Sequence, residues 1–132
     1  MRVMLIDDSE ADLLFSRIIV SRAGLCEDVL AFDSARTALE HLSRPEGEEV
    51  DMILLDINMP GMDGFQFLAA YEHLCRERTA PAAVVMLTSS PDPRDRAQAQ
   101  AFDCVRGYVV KPINLAAARQ LAELVDPAPP RA

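Results

Sequence analysis

Three acids, a hydroxyl and an amine could do chemistry together in this 132-residue chain: Asp7 and Asp8, Asp56, Thr88 and Lys111. Each follows a short apolar run. Val3-Met-Leu-Ile6 precedes Asp7-Asp8, Met52-Ile-Leu-Leu55 precedes Asp56, Ala83-Val-Val-Met-Leu87 precedes Thr88, and Tyr108-Val-Val110 precedes Lys111. Carboxylate oxygens are hard ligands suited to magnesium, which keeps several waters and accepts few protein oxygens. Three crowded acids repel one another unless a cation lies between them. A carboxylate can also act as a nucleophile and form an acyl phosphate. Phosphoryl transfer needs mainly positioning and charge neutralisation. A metal and a lysine can supply the second, and a hydroxyl can bond a phosphoryl oxygen.

Taken singly, most of these residues have a plainer reading. An Asp-Asp pair is commonly a helix entry or a solvated corner. Thr88 opens a Ser/Thr-rich turn, and lysines usually point to solvent. Asp56 says more, because a carboxylate at the end of a wholly apolar run is costly unless the sheet stops there. Together they can do this chemistry only if they converge, and that requires the elements around them.

Short apolar runs alternate with helical patterns along the chain. Strands are expected at 3–6, 28–32, 52–55, 83–87 and 108–110. Ser9 is a candidate N-cap for a first helix, on which Ala11, Leu14, Phe15, Ile18 and Arg22 share one face, and Gly24 would end it. Ser34 caps a helix to about Leu42. A third helix follows Gly64 to about Glu77. Asp92 caps a fourth with Pro93 at its first position, running to about Phe102. Asn114 caps a fifth that ends near Val125. Residues 44–49 read as a polar loop, and 126–132 as a proline-rich disordered tail. Five strands alternating with five helices imply an α/β fold, a parallel sheet covered on both faces. Such sheets place their sites at the carboxyl ends of strands near a switch in strand order. Asp7, Asp8, Asp56, Thr88 and Lys111 all pass that position test.

Composition narrows the function. With 13 basic and 21 acidic residues the net charge is −8, a poor match for nucleic acid or an anionic membrane. No apolar run approaches a membrane span, and the apolar N-terminal stretch is too short for a signal peptide. Cys26, Cys75 and Cys104 lack a short metal-ligand spacing and sit among apolar neighbours, so free thiols in a reducing, cytoplasmic setting are expected. Asp56-Ile-Asn-Met-Pro begins like a calcium loop. Pro60 at the fifth place and Phe67 at the twelfth exclude one. No glycine-rich phosphate loop is present. His41 and His73 lie within helices, away from the strand ends, and read as surface or packing residues.

These residues also carry a family resemblance. Asp7-Asp8, Leu54-Leu-Asp56-Ile-Asn-Met-Pro-Gly-Met-Asp-Gly64, Met86-Leu-Thr88-Ser and Tyr108-Val-Val-Lys111-Pro together resemble response-regulator receiver domains of two-component signalling, of the single-domain, chemotaxis-regulator-like kind. The resemblance spans about Arg2 to Val125, so a receiver domain at 1–125 is expected. It implies a doubly wound, flavodoxin-like fold with strand order 2-1-3-4-5. It implies Asp56 as phosphoacceptor, taking its phosphoryl group from a sensor histidine kinase or a histidine phosphotransfer protein. Asp8 would bind Mg2+ directly, Asp7 through water, and the Asn58 backbone carbonyl would complete the set with Asp56. Thr88 and Lys111 would contact the phosphoryl group, and Tyr108 would be the switch aromatic. Lys111-Pro112 matches the family's cis peptide bond. Asn58 and Ser90 would flank the water path to the acyl phosphate. Residues 87–96 further resemble single-domain receivers, some of which partner phytochrome-type kinases.

A downstream protein, or a second copy, would then read the surface of the fourth helix, fifth strand and fifth helix, where Arg94, Arg96, Arg106 and Arg119 form a candidate docking set. The protein is expected not to be an enzyme beyond its own phosphorylation and dephosphorylation. A phosphatase acting on small molecules would need an acid where Asn58 stands. A phosphorylation-independent adaptor would have no use for three buried acids. Nothing after Val125 could be an output domain, so direct contact or phosphate relay is expected unless the chain belongs to a longer one.

Overall fold

The computed structural model describes residues 2–24, 28–44, 50–76, 82–89 and 92–125. Cys26, Glu77, Ser90, residues 45–49 of the loop expected at 44–49, and the tail at 126–132 lie outside them. The strands are β1 (Arg2–Ile6), β2 (Asp28–Phe32), β3 (Met52–Leu55), β4 (Ala83–Thr88) and β5 (Val105–Val110). They form one parallel sheet in the order β2-β1-β3-β4-β5. The order reverses at β1, which has β2 on one side and β3 on the other, with Leu5 level with Ala31 and Leu54. The carboxyl ends of β1 and β3 therefore frame the crevice where such sheets bind ligands.

Side chains alternate between the two faces of a strand, so each face builds its own core. Met4, Ile6, Ile53, Leu55, Val84 and Met86 meet α2 (Ala35–Ser43), α3 (Gly64–Cys75) and α4 (Pro93–Gln100) through residues such as Ala38, Leu42, Phe67, Leu68, Tyr71 and Ala99. Val3, Leu5, Met52, Leu54, Val85 and Leu87 meet α1 (Glu10–Arg22) and α5 (Leu115–Val125) through Val20, Ala118 and Leu121. Both faces being covered explains why β3 is apolar at every position.

The expected caps are present. Ser9 Oγ accepts from Asp12 N, Ser34 Oγ from Thr37 N, Asp92 from Arg94 N, and Asn114 Oδ1 from Ala117 N. Gly24 follows the end of α1 with φ +71°, a left-handed conformation that favours glycine.

The structure settles the orientation of α1 and corrects two expected boundaries. The stripe of Ala11, Leu14, Phe15 and Ile18 faces solvent, with Leu14 61%, Phe15 44% and Ile18 42% exposed. The helix turns Ser16 and Val20 inward instead, with Leu13, Ile19 and Ala23 half-buried beside them. Helix α1 has apolar residues on most of its circumference, so periodicity offered two faces and docking on the sheet and α5 chose between them. Strand β5 starts three residues early, at Val105, and Gly107 lies inside it. The register slips here: Val84 pairs Val105, and Val85 pairs Gly107. Helix α4 ends at Gln100, two residues short of Phe102.

Candidate functional site

Backbone pairing fixes the two acidic strand ends. Asp7 N donates to Phe32 O at 3.1 Å, and Asp56 N donates to Ile6 O at 3.0 Å, so both ladders continue one residue past the strands. This buries Asp7 and Asp56, 5% and 6% exposed. Asp8, by contrast, is exposed. The expected trio of buried acids is thus two buried acids with a third on the solvent side, because the chain leaves the sheet after Asp7. The site has an open mouth as a result. One carboxylate oxygen from each of Asp7, Asp8 and Asp56 lies within 4.8 Å of the others.

The loop after β3 is held by its glycines. Gly61 has φ +78°. Gly64 donates its N–H to Ile57 O at 2.8 Å, and a Cβ there would sit 2.6 Å from the Asp56 carbonyl oxygen. Only glycine lets α3 start so close to the strand end. Asp63 and Gln66 close a capping box on α3. Ile57 N donates to Asp56 Oδ1 at 3.0 Å, which orients the carboxylate. Asn58 follows in this loop and is exposed.

Strand β5 delivers the amine. Lys111 N donates to Thr88 O at 2.7 Å, prolonging the β4–β5 ladder, and the Lys111-Pro112 peptide is cis. The Lys111 Nζ lies 2.5 Å from Asp7 Oδ2, 2.8 Å from Asp12 Oδ2 and 3.6 Å from Asp56 Oδ1. Thr88 ends β4, wholly buried. Tyr108 pairs with Met86 on β4, is half-buried, and lies under Arg96, whose guanidinium carbon is 5.3 Å from the ring centre.

Burial, followed by the repulsion of Asp7, raises the Asp56 carboxyl to about 6, against the pull of Lys111 and the Ile57 N–H. Burial works against the Lys111 ammonium, yet hydrogen bonds to Asp12 and Asp7 and the charge of Asp56 outweigh it and hold it up at about 12. A buried carboxyl carrying that strain beside two further acids fits a hard divalent cation, which would restore the ionised form.

All five expected strand-end residues thus reach one rim, although Asp8 stands outside the pocket wall. Reasoning from sequence missed Asp12. It pairs with Lys111 from 99 residues away, so no local pattern signalled it. Arg94 pairs with Asp92 at 3.0 Å, so this member of the docking set balances a neighbouring acid, while Arg106 and Arg119 are exposed. His41 packs its ring on Phe32 at 5.4 Å, and His73 is exposed, both away from the site. Cys75 and Cys104 are not joined in a disulfide. Burial pushes the Cys104 thiol up to about 12, so it stays protonated. Among the described residues no helix is long and apolar enough to cross a membrane.

Comparison with known proteins agrees with this geometry. The family model for the response regulator receiver domain matches residues 3–123. The chain is 34% identical over 119 residues to the two-component response regulator ORR1 of Oryza sativa subsp. japonica, covering 86% of this chain and 50% of that protein. It therefore spans about half the length of that relative. It superposes on a two-component response regulator from Cytophaga hutchinsonii with a TM-score of 0.83 at 30% identity, covering 94% of this chain and 95% of that one. The bacteriophytochrome response regulator RtBRR gives a TM-score of 0.81 at 25% identity, covering 99% and 81%. A parallel sheet ordered 2-1-3-4-5, its acids gathered at the strand-order switch, and a match over nearly every described residue make one assignment: this chain belongs to the response regulator receiver domain family of two-component signalling.

Proposed function

We propose that this domain is a phosphorylation-activated switch, which accepts a phosphoryl group onto Asp56 from a phosphohistidine of a sensor kinase or phosphotransfer protein. The observation that carries this reading is the gathering of Asp7, Asp8 and Asp56 within 4.8 Å, with Lys111 Nζ 3.6 Å from Asp56. Asp7, Asp8, Asp56 and the Asn58 carbonyl would hold Mg2+, which when bound supplies charge neutralisation at the phosphoryl oxygens. Asp56 Oδ forms the new bond to phosphorus as the phosphorus–nitrogen bond breaks, and the leaving imidazole keeps the electron pair. Lys111 donates to a phosphoryl oxygen, and Thr88 Oγ bonds another. Water later hydrolyses the acyl phosphate, so the domain catalyses only its own phosphorylation state and is not otherwise an enzyme.

Two surfaces serve this reading. The exposed stripe of Leu14, Phe15 and Ile18 flanks a groove of about 220 Å3 lined by Asp12, Phe15, Lys111, Pro112 and Ile113. An apolar helix face beside the open mouth suits docking of the helical domain that carries the phosphohistidine. The likeness to a bacteriophytochrome response regulator supports a kinase of that class, in the cytoplasm. Inward movement of Thr88 and Tyr108 would remodel the α4-β5-α5 surface, read by a downstream protein or a second copy, or the phosphate would be relayed onward. An acidic chain lacking a membrane-spanning helix among its described residues fits neither nucleic acid nor insertion into a membrane.

The test is intact mass after incubation with Mg2+ and acetyl phosphate. The wild type is expected to gain one phosphoryl group and Asp56→Asn none. Absence of both the gain and Mg2+ binding in the wild type would overturn the reading.

A further inference from the structure

We propose that Asp12 is a positioning residue, which holds the Lys111 ammonium off Asp56 so that a third N–H is reserved for the phosphoryl group. This inference rests on the reading above. An ammonium has three donors and no acceptor. The Lys111 ammonium spends two on Asp7 Oδ2 at 2.5 Å and Asp12 Oδ2 at 2.8 Å. The third acid, Asp56, is 3.6 Å away, too far for a hydrogen bond. Phosphorylation of Asp56 would bring an oxygen within reach of the third N–H.

The positions of the partners explain the arrangement. Lys111 has a side chain only 13% exposed, whereas that of Asp12 is 46% exposed. Asp12 therefore reaches from the surface of α1 toward a nearly buried amine. It does not cap its own helix, since Ser9 Oγ does so and Asp12 contributes only the backbone N–H that donates to it. Without the Asp12 carboxylate, Asp7 and Asp56 would be the acids left around Nζ. The amine would then close onto Asp56 Oδ1, which already accepts the Ile57 N–H, and its third N–H would be spent on the carboxylate. Asp7, buried like Asp56, would be the one hydrogen-bonded acid left to the ammonium.

The experiment compares wild type, Asp12→Asn, Asp12→Glu and Glu10→Gln, using beryllofluoride with Mg2+ as the phosphoryl mimic. Glu10 is exposed in the same first turn and serves as the control for lost charge. Asp12→Asn is expected to weaken beryllofluoride binding and slow phosphorylation by acetyl phosphate about five- to tenfold, the loss of one half-exposed charged hydrogen bond. Asp12→Glu is expected to recover most of both, and Glu10→Gln to change neither. The second readout is the Lys111 ammonium resonance in 15N-lysine-labelled protein, which should shift in Asp12→Asn alone. Wild-type affinity in Asp12→Asn, an equal loss in Glu10→Gln, or an unmoved Lys111 resonance each overturns the role of Asp12. Failure of the wild type itself to bind beryllofluoride overturns the phosphoacceptor reading and this inference with it.

Discussion

The proposed function asks Asp56 to be both buried and a nucleophile, and these demands conflict. Burial raises its carboxyl from 3.8 to about 6, so the metal-free fold bears a strained charge at neutral pH. A raised acid contributes stability that is full below the unfolded value and lost as pH climbs through the folded one. Asp56→Asn should therefore be neutral near pH 3.8 and stabilise the metal-free protein by about 1–3 kcal/mol above pH 6, in urea unfolding. A gain of the same size at both ends of that range would show that the strained charge is not its cause. Gly64 carries the complementary constraint. Its Gly64→Ala variant would place a methyl 2.6 Å from the Asp56 carbonyl oxygen and 2.9 Å from the Ile57 Cα. A loss of about 2–3 kcal/mol is expected, typical of overpacking, together with weaker Mg2+ binding as the loop moves. Unchanged thermal unfolding would mean the backbone yields freely there.

At the scale of the element, α1 shows why hydrophobic period alone does not choose a face. Leu13, Leu14, Phe15, Ile18, Ile19 and Val20 occupy most of the helix circumference. Only the side with Ser16 and Val20 meets the sheet and α5. Val20→Ala should cost about 2 kcal/mol, the transfer and cavity terms of a buried side chain. Ile18→Ala, on the exposed side, should stay within about 0.5 kcal/mol. Equal losses measured by denaturant midpoints would refute this orientation. The same pair separates stability from docking, because Ile18→Ala should slow transfer from a phosphohistidine donor while leaving phosphorylation by acetyl phosphate intact.

Across the whole molecule, the sheet is a frame that brings Asp7, Asp56 and Lys111 together from positions up to 104 residues apart. Anything that binds those ends binds only the folded state, so Mg2+ should stabilise the fold by mass action. At ten times its Kd the gain is about 1.4 kcal/mol, read as a rise in Tm. Asp56→Asn should show a much smaller rise. An equal rise in both would place the cation elsewhere.

Strand ends, caps and alternation are local properties, and the sequence by itself determined them. Four apolar runs each ending in Asp, Thr or Lys announced both the parallel sheet and the rim, because a strand buried on both faces must be apolar throughout and can turn polar only where it emerges. Ser9, Ser34, Asp92 and Asn114 likewise declared the helix starts, since a cap is satisfied within its own turn. The tertiary structure alone decided which face of α1 is buried, that Asp8 stands outside while Asp7 lies within, and that Asp12 joins Lys111 from 99 residues away. Those outcomes depend on how the layers dock, and the energy of docking is shared among residues distant in sequence, which no local pattern encodes.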